Sequence, residues 1–251
     1  MIAIISDIHS NLEALQAVLD DIDARGVERI FCLGDLVGYG PDPLEVMSYA
    51  HRFEFCIRGN HDEAVIGETP DNFNPIAKNA TNWTREQLNP AMHKNPFKLA
   101  LLKKKKKAWE YLTEKMELKH AIGDSLFLHD TPVEPGSSKY FYSLDQLNTA
   151  FKKNSGFTRF FIGHSHLARI YTEDDIIEPE PGKEYPLRGR QVINVGSVGQ
   201  PRDGDPRPSY AIVNESIRFY RLRYDIDTTV EKILRTPALD NFLARRLLFG
   251  K

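Results

Sequence analysis

The chain is poor in cysteine, in long apolar runs and in net charge, and each shortage excludes something. Only two cysteines, Cys32 and Cys56, occur among 251 residues. Both sit inside apolar runs, cannot build a disulfide scaffold, and read as buried thiols in a reducing compartment. No stretch of roughly 20 consecutive apolar residues exists, so no transmembrane helix is expected. Lys and Arg total 33 against 35 Asp and Glu, a net charge of −2. That balance argues against a nucleic-acid coat or a membrane-surface protein, although it leaves room for a local basic patch. No internal repeat appears, and the one low-complexity segment is a run of lysines. What is present is a hydrophobic share of 41% with 27% charged residues, enough for one large α/β domain, or two small ones, with a substantial core. Met1 leads straight into a strand-like run that leaves no room for a signal peptide, so cytoplasm is the expected location.

The first half alternates strand and helix patterns. Ile2 to Ile5 suits a strand buried on both faces. Ser10-Asn-Leu-Glu13 spells a capping box, and Leu12, Leu15, Leu19 and Ile22 then mark one helix face, with Gly26 as a stop. Arg29 to Leu33 and Phe53 to Ile57 read as further strands, with a short helix over Pro41 to His51 between them. This β-α-β-α-β order predicts parallel neighbours with right-handed crossovers. Residues 67–115 lose the rhythm. Pro70, Pro75, Pro90 and Pro96 divide polar, helical pieces, and Lys103 to Lys107 lead into Ala108, Trp109, Leu112 and Met116. The lysines read as a solvated helix face, with a basic patch for an anionic substrate as the sharper alternative. The region as a whole reads as an insertion packed over a single domain of residues 1–251.

The second half is mostly strands. Glu117 to Ile122 and Ser125 to Leu128 flank Gly123-Asp124, a two-residue hairpin loop. Ser143-Leu-Asp-Gln146 opens a helix to about Lys153. Arg159 to Ile162, Ala168 to Thr172, Arg190 to Val195, Tyr210 to Asn214 and Ile217 to Leu222 read as strands, Glu173 to Glu184 as an exposed loop. Helices over Thr228 to Arg235 and Leu239 to Phe249 close the chain.

Polar, metal-competent residues follow five separate apolar strands: Asp7 and His9, Asp35, Asn60-His61-Asp62, His129, and His164 with His166. The C-terminal edge of an α/β sheet is where loops converge on a ligand crevice. Asp, Asn and His together suit borderline divalent metals such as Mn, Fe, Co, Ni or Zn. No cysteine joins them, which excludes a zinc finger or an iron–sulfur site. Seven candidate ligands (Asp7, His9, Asp35, Asn60, His129, His164 and His166) exceed the need of one catalytic metal and fit two metals sharing a bridging carboxylate. Such a pair lowers the pKa of a bridging water and stabilises a phosphoryl group under in-line attack. Glycines before Asp35, Asn60 and His164 support sharp strand-to-loop turns.

Asp7-x-His9, Gly34-Asp35, Gly59-Asn60-His61-Asp62, His129 and Gly163-His164-x-His166 closely resemble the calcineurin-like metallophosphoesterase superfamily. Gly196-Ser-Val-Gly-Gln-Pro-Arg202-Asp203 resembles a loop of its small prokaryotic phosphodiesterase-like branch. The resemblance implies an α/β fold, a four-layer α/β/β/α sandwich, with a dinuclear centre between two sheets. It implies that Asp7, His9 and His166 hold one metal, that Asn60, His129 and His164 hold the other, and that Asp35 bridges them. His61 would bind the phosphate and protonate the leaving oxygen. Asn60 and Arg202 would contact phosphate oxygens. Where protein Ser/Thr phosphatases of the superfamily carry Asp-Arg-Gly, this chain has Gly38-Tyr39-Gly40, and its Asn-His motif ends in Asp62 instead of Glu, which points away from phosphoproteins.

The implied activity is metal-dependent hydrolysis of a small phosphate ester, mono- or diester, with nucleotides and dinucleoside polyphosphates as candidates. A non-catalytic scaffold of the same fold is the competing reading, and the filled ligand set speaks against it. The near-neutral charge speaks against a nuclease, and an exposed sheet edge could pair two subunits. Asp130 either crowds the loop after His129 or adds a carboxylate near the second metal. Asp62 is either a partner of a metal-bound His or a helix cap. Tyr39 and Asn11 either line the pocket or hold a loop. Arg58, His51, His93 and His120 read as structural.

Overall fold

The computed structural model describes residues 1–251 except 72, 94, 96 and 97; Pro96, expected to interrupt the helical stretch, lies outside the described residues. The chain begins with β1 (Ile2–Ile5), α1 (Leu12–Ala24), β2 (Arg29–Cys32), α2 (Pro43–Ser48), β3 (Phe55–Cys56) and α3 (Asn60–Ile66). Next come α4 (Pro75–Leu88), α5 (Leu99–Glu110), β4 (His120–Ile122), β5 (Ser125–Phe127), α6 (Leu144–Lys153), β6 (Arg159–Ile162), β7 (Arg169–Tyr171) and β8 (Ile176–Ile177). It ends with β9 (Glu184–Pro186), β10 (Gln191–Asn194), β11 (Ser209–Val213), β12 (Ser216–Arg221), α7 (Ile226–Leu234) and α8 (Asn241–Phe249).

Two six-stranded sheets result, with orders β3-β2-β1-β11-β12-β9 and β4-β5-β6-β10-β7-β8. The strands alternate between two buried faces, as period-two side-chain geometry requires. In β1, Ala3 and Ile5 pack under the helices while Ile4 faces the other sheet. In β6, Phe160 and Ile162 pack against α6, and Phe161 joins Ile4, Phe31 and Ile193 between the sheets. The order of layers is therefore helix, sheet, sheet, helix, the sandwich expected from the sequence. Each fully buried Ile or Phe contributes about 1.5–3 kcal/mol, and Ile and Phe make up most of the buried inter-sheet layer.

The topology also sets where the chemistry lies. β1, β2 and β3 are parallel neighbours, as are β5, β6 and β10. Their C-terminal ends meet at one edge of the sandwich. Backbone bonds stitch that edge together: Asp7 N–H donates to Gly34 O, Gly163 N–H to His129 O, and Gly199 N–H to Asp7 O, each at 2.9 Å.

Several local readings need correction. α1 is capped by Asn11, whose Oδ1 accepts from Ala14 N–H at 3.1 Å; Ser10 stands one residue too early, at φ 54°. Expected strand Phe53 to Ile57 shrinks to Phe55–Cys56, with Ile57 bridging Glu117. Glu173 to Glu184 is not simply a loop, because β8 lies within it and β9 begins at Glu184. The lysine run is not wholly solvated either: Lys105 is buried and its Nζ donates to Glu86 O at 2.7 Å. The Ser143 capping box forms as spelled, with Ser143 and Gln146 satisfying each other's backbone N–H. Cys32 and Cys56 are buried free thiols.

Candidate metal centre

All seven predicted ligands reach one edge of the sandwich, carried there by different strands. Asp7, His9, Asp35 and His166 each offer a ligand atom within 4.8 Å of the others, and Asp35, His129 and His164 form a second such group. Asp35 Oδ2 is common ground, 3.5 Å from His9 Nε2 and 3.4 Å from His129 Nε2. His166 Nε2 lies 3.1 Å from His9 Nε2 and 3.2 Å from Asp7 Oδ1. Asn60 joins the second group, its Oδ1 3.1 Å from His129 Nε2. Every one of these His and Asp residues is buried.

The backbone that presents them is strained. Among the described residues, eight that are not glycine have positive φ, and five of them are Asp7, His9, Asp35, His164 and His166. Such a conformation costs on the order of 1 kcal/mol or more per residue and persists only where the surroundings over-determine it. Here they do. Asp62 accepts from Asp35 N–H at 2.8 Å, Gly59 N–H at 3.0 Å and Val37 N–H at 3.2 Å. Asn194 Nδ2 donates to Gly163 O at 2.6 Å and to Ser165 Oγ at 2.9 Å, fixing the turn between His164 and His166. Of the glycines, Gly34 supplies a positive φ of 100°. Gly59 and Gly163 matter for closeness instead: a Cβ on Gly163 would sit 2.5 Å from Asp7 Oδ2, and one on Gly59 2.7 Å from the Asp35 carboxyl carbon.

The donor set fits divalent cations. Three rings hand one N–H to a carbonyl: His129 Nδ1 to Leu33 O at 2.8 Å, His166 Nδ1 to Gln200 O at 2.5 Å, and His164 Nε2 to Ser138 O at 3.0 Å. That turns the other nitrogen of each ring toward the cluster, the usual outer-shell device of metal sites. Asp7 Oδ1 is buried and lacks a hydrogen-bond partner, an orphan that a cation would satisfy. Burial, with like charge from His129 added, pushes His164 down to about 3. Burial likewise lowers His9 and His166, assisted at His166 by Arg202, so these imidazoles are neutral and ready to ligate. Burial by itself would raise Asp7 and Asp35, but His166 and His129 respectively outweigh it and hold both carboxylates low. His129 resists its own burial because Asp35 and Asp7 favour its charge, and it is driven up to about 10. Cation binding would displace that proton.

Beside this cluster lies a cavity of about 180 Å³ lined by Asp35, Asn60, His61, His164, His166 and Arg202. Tyr39, Phe73 and Tyr140 form its aromatic walls. His61 packs between Tyr39, 4.3 Å between ring centres, and Phe73, 4.9 Å. Its N–H donates from the backbone to Asp35 Oδ1 at 2.8 Å. Burial pushes the His61 ring down to about 4. Tyr140 stacks on His164 at 4.3 Å and 15°, and Tyr142 stacks on Tyr140 at 5.2 Å and 19°. These two tyrosines are 40% and 46% exposed, a ladder of rings from the cluster to solvent.

The open alternatives resolve as follows. Asp62 serves as a helix cap and not as a hydrogen-bond partner of a ligand histidine: from the third position of α3 it accepts from the N–H of Gly59, the N-cap. Asp130 neither crowds nor ligates: its carboxylate takes Gly136 N–H at 3.0 Å and Ser138 N–H at 2.7 Å, pinning the loop that bonds His164. Tyr39 lines the pocket, while Asn11 caps α1 and holds Gly199 O at 2.9 Å. Arg58 is structural, donating to Leu112 O and Thr113 O at 3.0 Å. Sequence reasoning did not single out Asn194, Phe73 or Tyr140. Only Asn194 carried a signal, as a polar residue closing the buried strand β10.

Residues 1–216 match the model of the calcineurin-like phosphoesterase superfamily domain. An uncharacterised protein of Methanocaldococcus jannaschii is 37% identical over 100% of this chain and 98% of its own length. A metallophosphoesterase from Sphaerobacter thermophilus has a solved structure with a TM-score of 0.79 and 34% identity, covering 100% of this chain and 98% of that one. A symmetrical bis(5'-nucleosyl)-tetraphosphatase of Erwinia tasmaniensis is 38% identical over 101 residues, 34% of this chain and 37% of that protein.

Proposed function

This chain belongs to the calcineurin-like phosphoesterase superfamily, and from that premise we propose that it hydrolyses small phosphate esters with two divalent cations. The observation that carries the reading is the position of Asp35 Oδ2, within 3.5 Å of His9 and 3.4 Å of His129. One carboxylate oxygen thus faces both metal-competent groups. Asp7, His9 and His166 would hold the first cation, Asn60, His129 and His164 the second, with Asp35 available to both. When bound, the cations supply Lewis acidity toward the phosphoryl oxygens and acidify a water nucleophile.

The chain's own residues do the rest. Asn60 and His61 line the cavity and offer N–H donors to the phosphoryl oxygens. The His61 ring, neutral in its buried setting, gains proton affinity as an anionic substrate arrives, takes up a proton from solvent at the open pocket, and passes it to the leaving oxygen. Phe73, Tyr39 and Tyr140 restrict water around that transfer. The exposed rings of Tyr140 and Tyr142 suit a planar leaving group or base, which favours nucleotides and dinucleoside polyphosphates among phosphate esters. Residues 67–115 belong to the same single domain in this reading, because α4 contributes Ala77 to the pocket wall.

The test is hydrolysis of aryl phosphate mono- and diesters by protein reconstituted with Mn, Fe, Co, Ni or Zn. His61→Ala should retain its metal and lose about 10²- to 10⁴-fold in rate, most with poor leaving groups. An equal loss across leaving groups would remove the acid role from His61, and failure to hydrolyse either ester with any metal would overturn the reading.

A further inference from the structure

The three carbonyls that orient the ligand histidines are not equally well supported. His129 donates to Leu33 O, just past β2, and His166 to Gln200 O, in the edge that Gly199 stitches to Asp7. Leu33 and Gln200 are both buried. His164 donates instead to Ser138 O at 3.0 Å. Ser138 belongs to a loop, residues 131–142, whose stretch 134–136 is exposed. The second cation position therefore depends on the least supported carbonyl of the three.

That loop is tied at both ends. Asn154 Nδ2 donates to Pro132 O at 2.9 Å and Lys153 Nζ to Val133 O at 3.0 Å. At the far end, Gln146 Nε2 donates to Tyr140 O at 3.0 Å and the Tyr171 hydroxyl to Phe141 O at 3.1 Å. Between these ties the backbone passes through two left-handed residues, Gly136 at φ 81° and Ser138 at φ 56°. For Ser138 that conformation costs on the order of 1 kcal/mol or more and needs outside support. The loop's own backbone bonds are long, 3.3 Å from Glu134 N–H to Thr131 O and 3.2 Å from Ser137 N–H to Glu134 O. Asp130 supplies the support. It is buried, and one carboxylate oxygen accepts from Gly136 N–H at 3.0 Å while the other accepts from Ser138 N–H at 2.7 Å. Bonds to an ionised acceptor are roughly twice as strong as neutral ones. The same turn carries Tyr140, whose ring lies on His164 at 4.3 Å and 15°. One carboxylate thus sets both the carbonyl that orients His164 and the ring that covers it.

We propose that Asp130 is the positioning residue of the second cation site: by clasping Gly136 and Ser138 it fixes the Ser138 carbonyl against His164, so that cation affinity there and order in the 131–142 loop are coupled. This deepens the two-cation reading and rests on it.

The experiment is a calorimetric titration of metal-free protein with Mn²⁺ alone, beside hydrogen exchange of the peptide spanning 131–142. Wild type should show two binding steps, and one of them should slow exchange in that peptide by roughly tenfold, because the coupling acts in both directions. Asp130→Ala should weaken that same step by roughly ten- to a hundredfold, the usual loss for an outer-shell partner, leave the other step unchanged, and abolish the slowing. Asp130→Asn, which keeps one acceptor oxygen, should fall between. A carboxylate that merely stabilised the fold would lower Tm and leave the difference between the two steps as in wild type; that result would overturn the proposal. Where a variant misfolds, the wild-type exchange measurement decides, and a peptide indifferent to both equivalents of Mn²⁺ would overturn the proposal by itself. Two steps that both ignore Asp130 sink only its positioning role, whereas a wild type that saturates at one equivalent sinks the two-cation reading.

Discussion

Asp62 is the residue whose removal tests the scaffold of the site most severely. It is fully buried, and its two oxygens accept three backbone N–H groups, from Asp35, Val37 and Gly59. Asp62→Ala would orphan all three. Each buried donor left unpaired costs about 1–3 kcal/mol, and partial relaxation with entry of water reduces the sum. The expected loss is ~3–5 kcal/mol, which for a chain of this size lowers Tm by roughly 10 °C. Asp62→Asn should lose less, because one oxygen can keep the Asp35 and Gly59 bonds while the amide opposes Val37 N–H. Urea unfolding of metal-free protein is the assay, since bound metal would mask the effect. Stability should also depend on pH through this residue. Burial, and then the Asp35 charge, raise Asp62 from 3.8 to about 7. The folded state therefore binds more protons than the unfolded chain between those values, so this contribution to stability falls as pH rises across the window. Both variants should lose that slope. A loss below about 1 kcal/mol for the alanine variant would refute the reasoning.

Three further outcomes are expected. Gly163→Ala would drive a Cβ into Ser6 and to 2.5 Å from Asp7 Oδ2, so it should destabilise by about 1–3 kcal/mol and weaken metal retention; unchanged urea midpoint and metal content would contradict this. Asp21 is held low because hydrogen bonds from Arg25 and Tyr210 outweigh its burial, so its contribution is present above 3.8 and is lost as pH falls through the depressed value. Asp21→Asn should accordingly flatten the acid limb of the stability curve, and parallel acid limbs would count against that pairing. Chelation should lower Tm, since a cation present at a hundred times its Kd stabilises by about 2.7 kcal/mol per site; a scan that does not move on chelation would show that the cluster holds no metal in the folded protein.

Much of the site was legible because its signal is local. A polar residue directly after a buried run marks a strand end, and parallel strands must bring those ends to one edge. That logic placed Asp7, Asp35, Asn60, His129 and His164 without any knowledge of which strands pair. What it missed depends on long-range packing or on backbone conformation. Ser10 spells a better cap than Asn11, but its left-handed backbone, forced by the turn after Asp7, passes the role on by one residue. β8 is a half-buried pair, Ile176–Ile177, set against β7, and β9 buries Tyr185 alone between exposed Glu184 and Pro186, so no apolar run announces either strand. Asp130 and Asp62, both candidates for work at the metals, turn out to hold backbone N–H groups, a role set by loop shape and not by composition.

The central claim is that one carboxylate, Asp35, serves two cations. Metal content by mass spectrometry, after reconstitution and desalting, tests it most directly. The account predicts two equivalents per chain for the wild type, about one for Asp7→Asn, and loss of both for Asp35→Asn in a protein that remains folded. Saturation of the wild type at one equivalent, or an Asp35→Asn variant that keeps both, would contradict it.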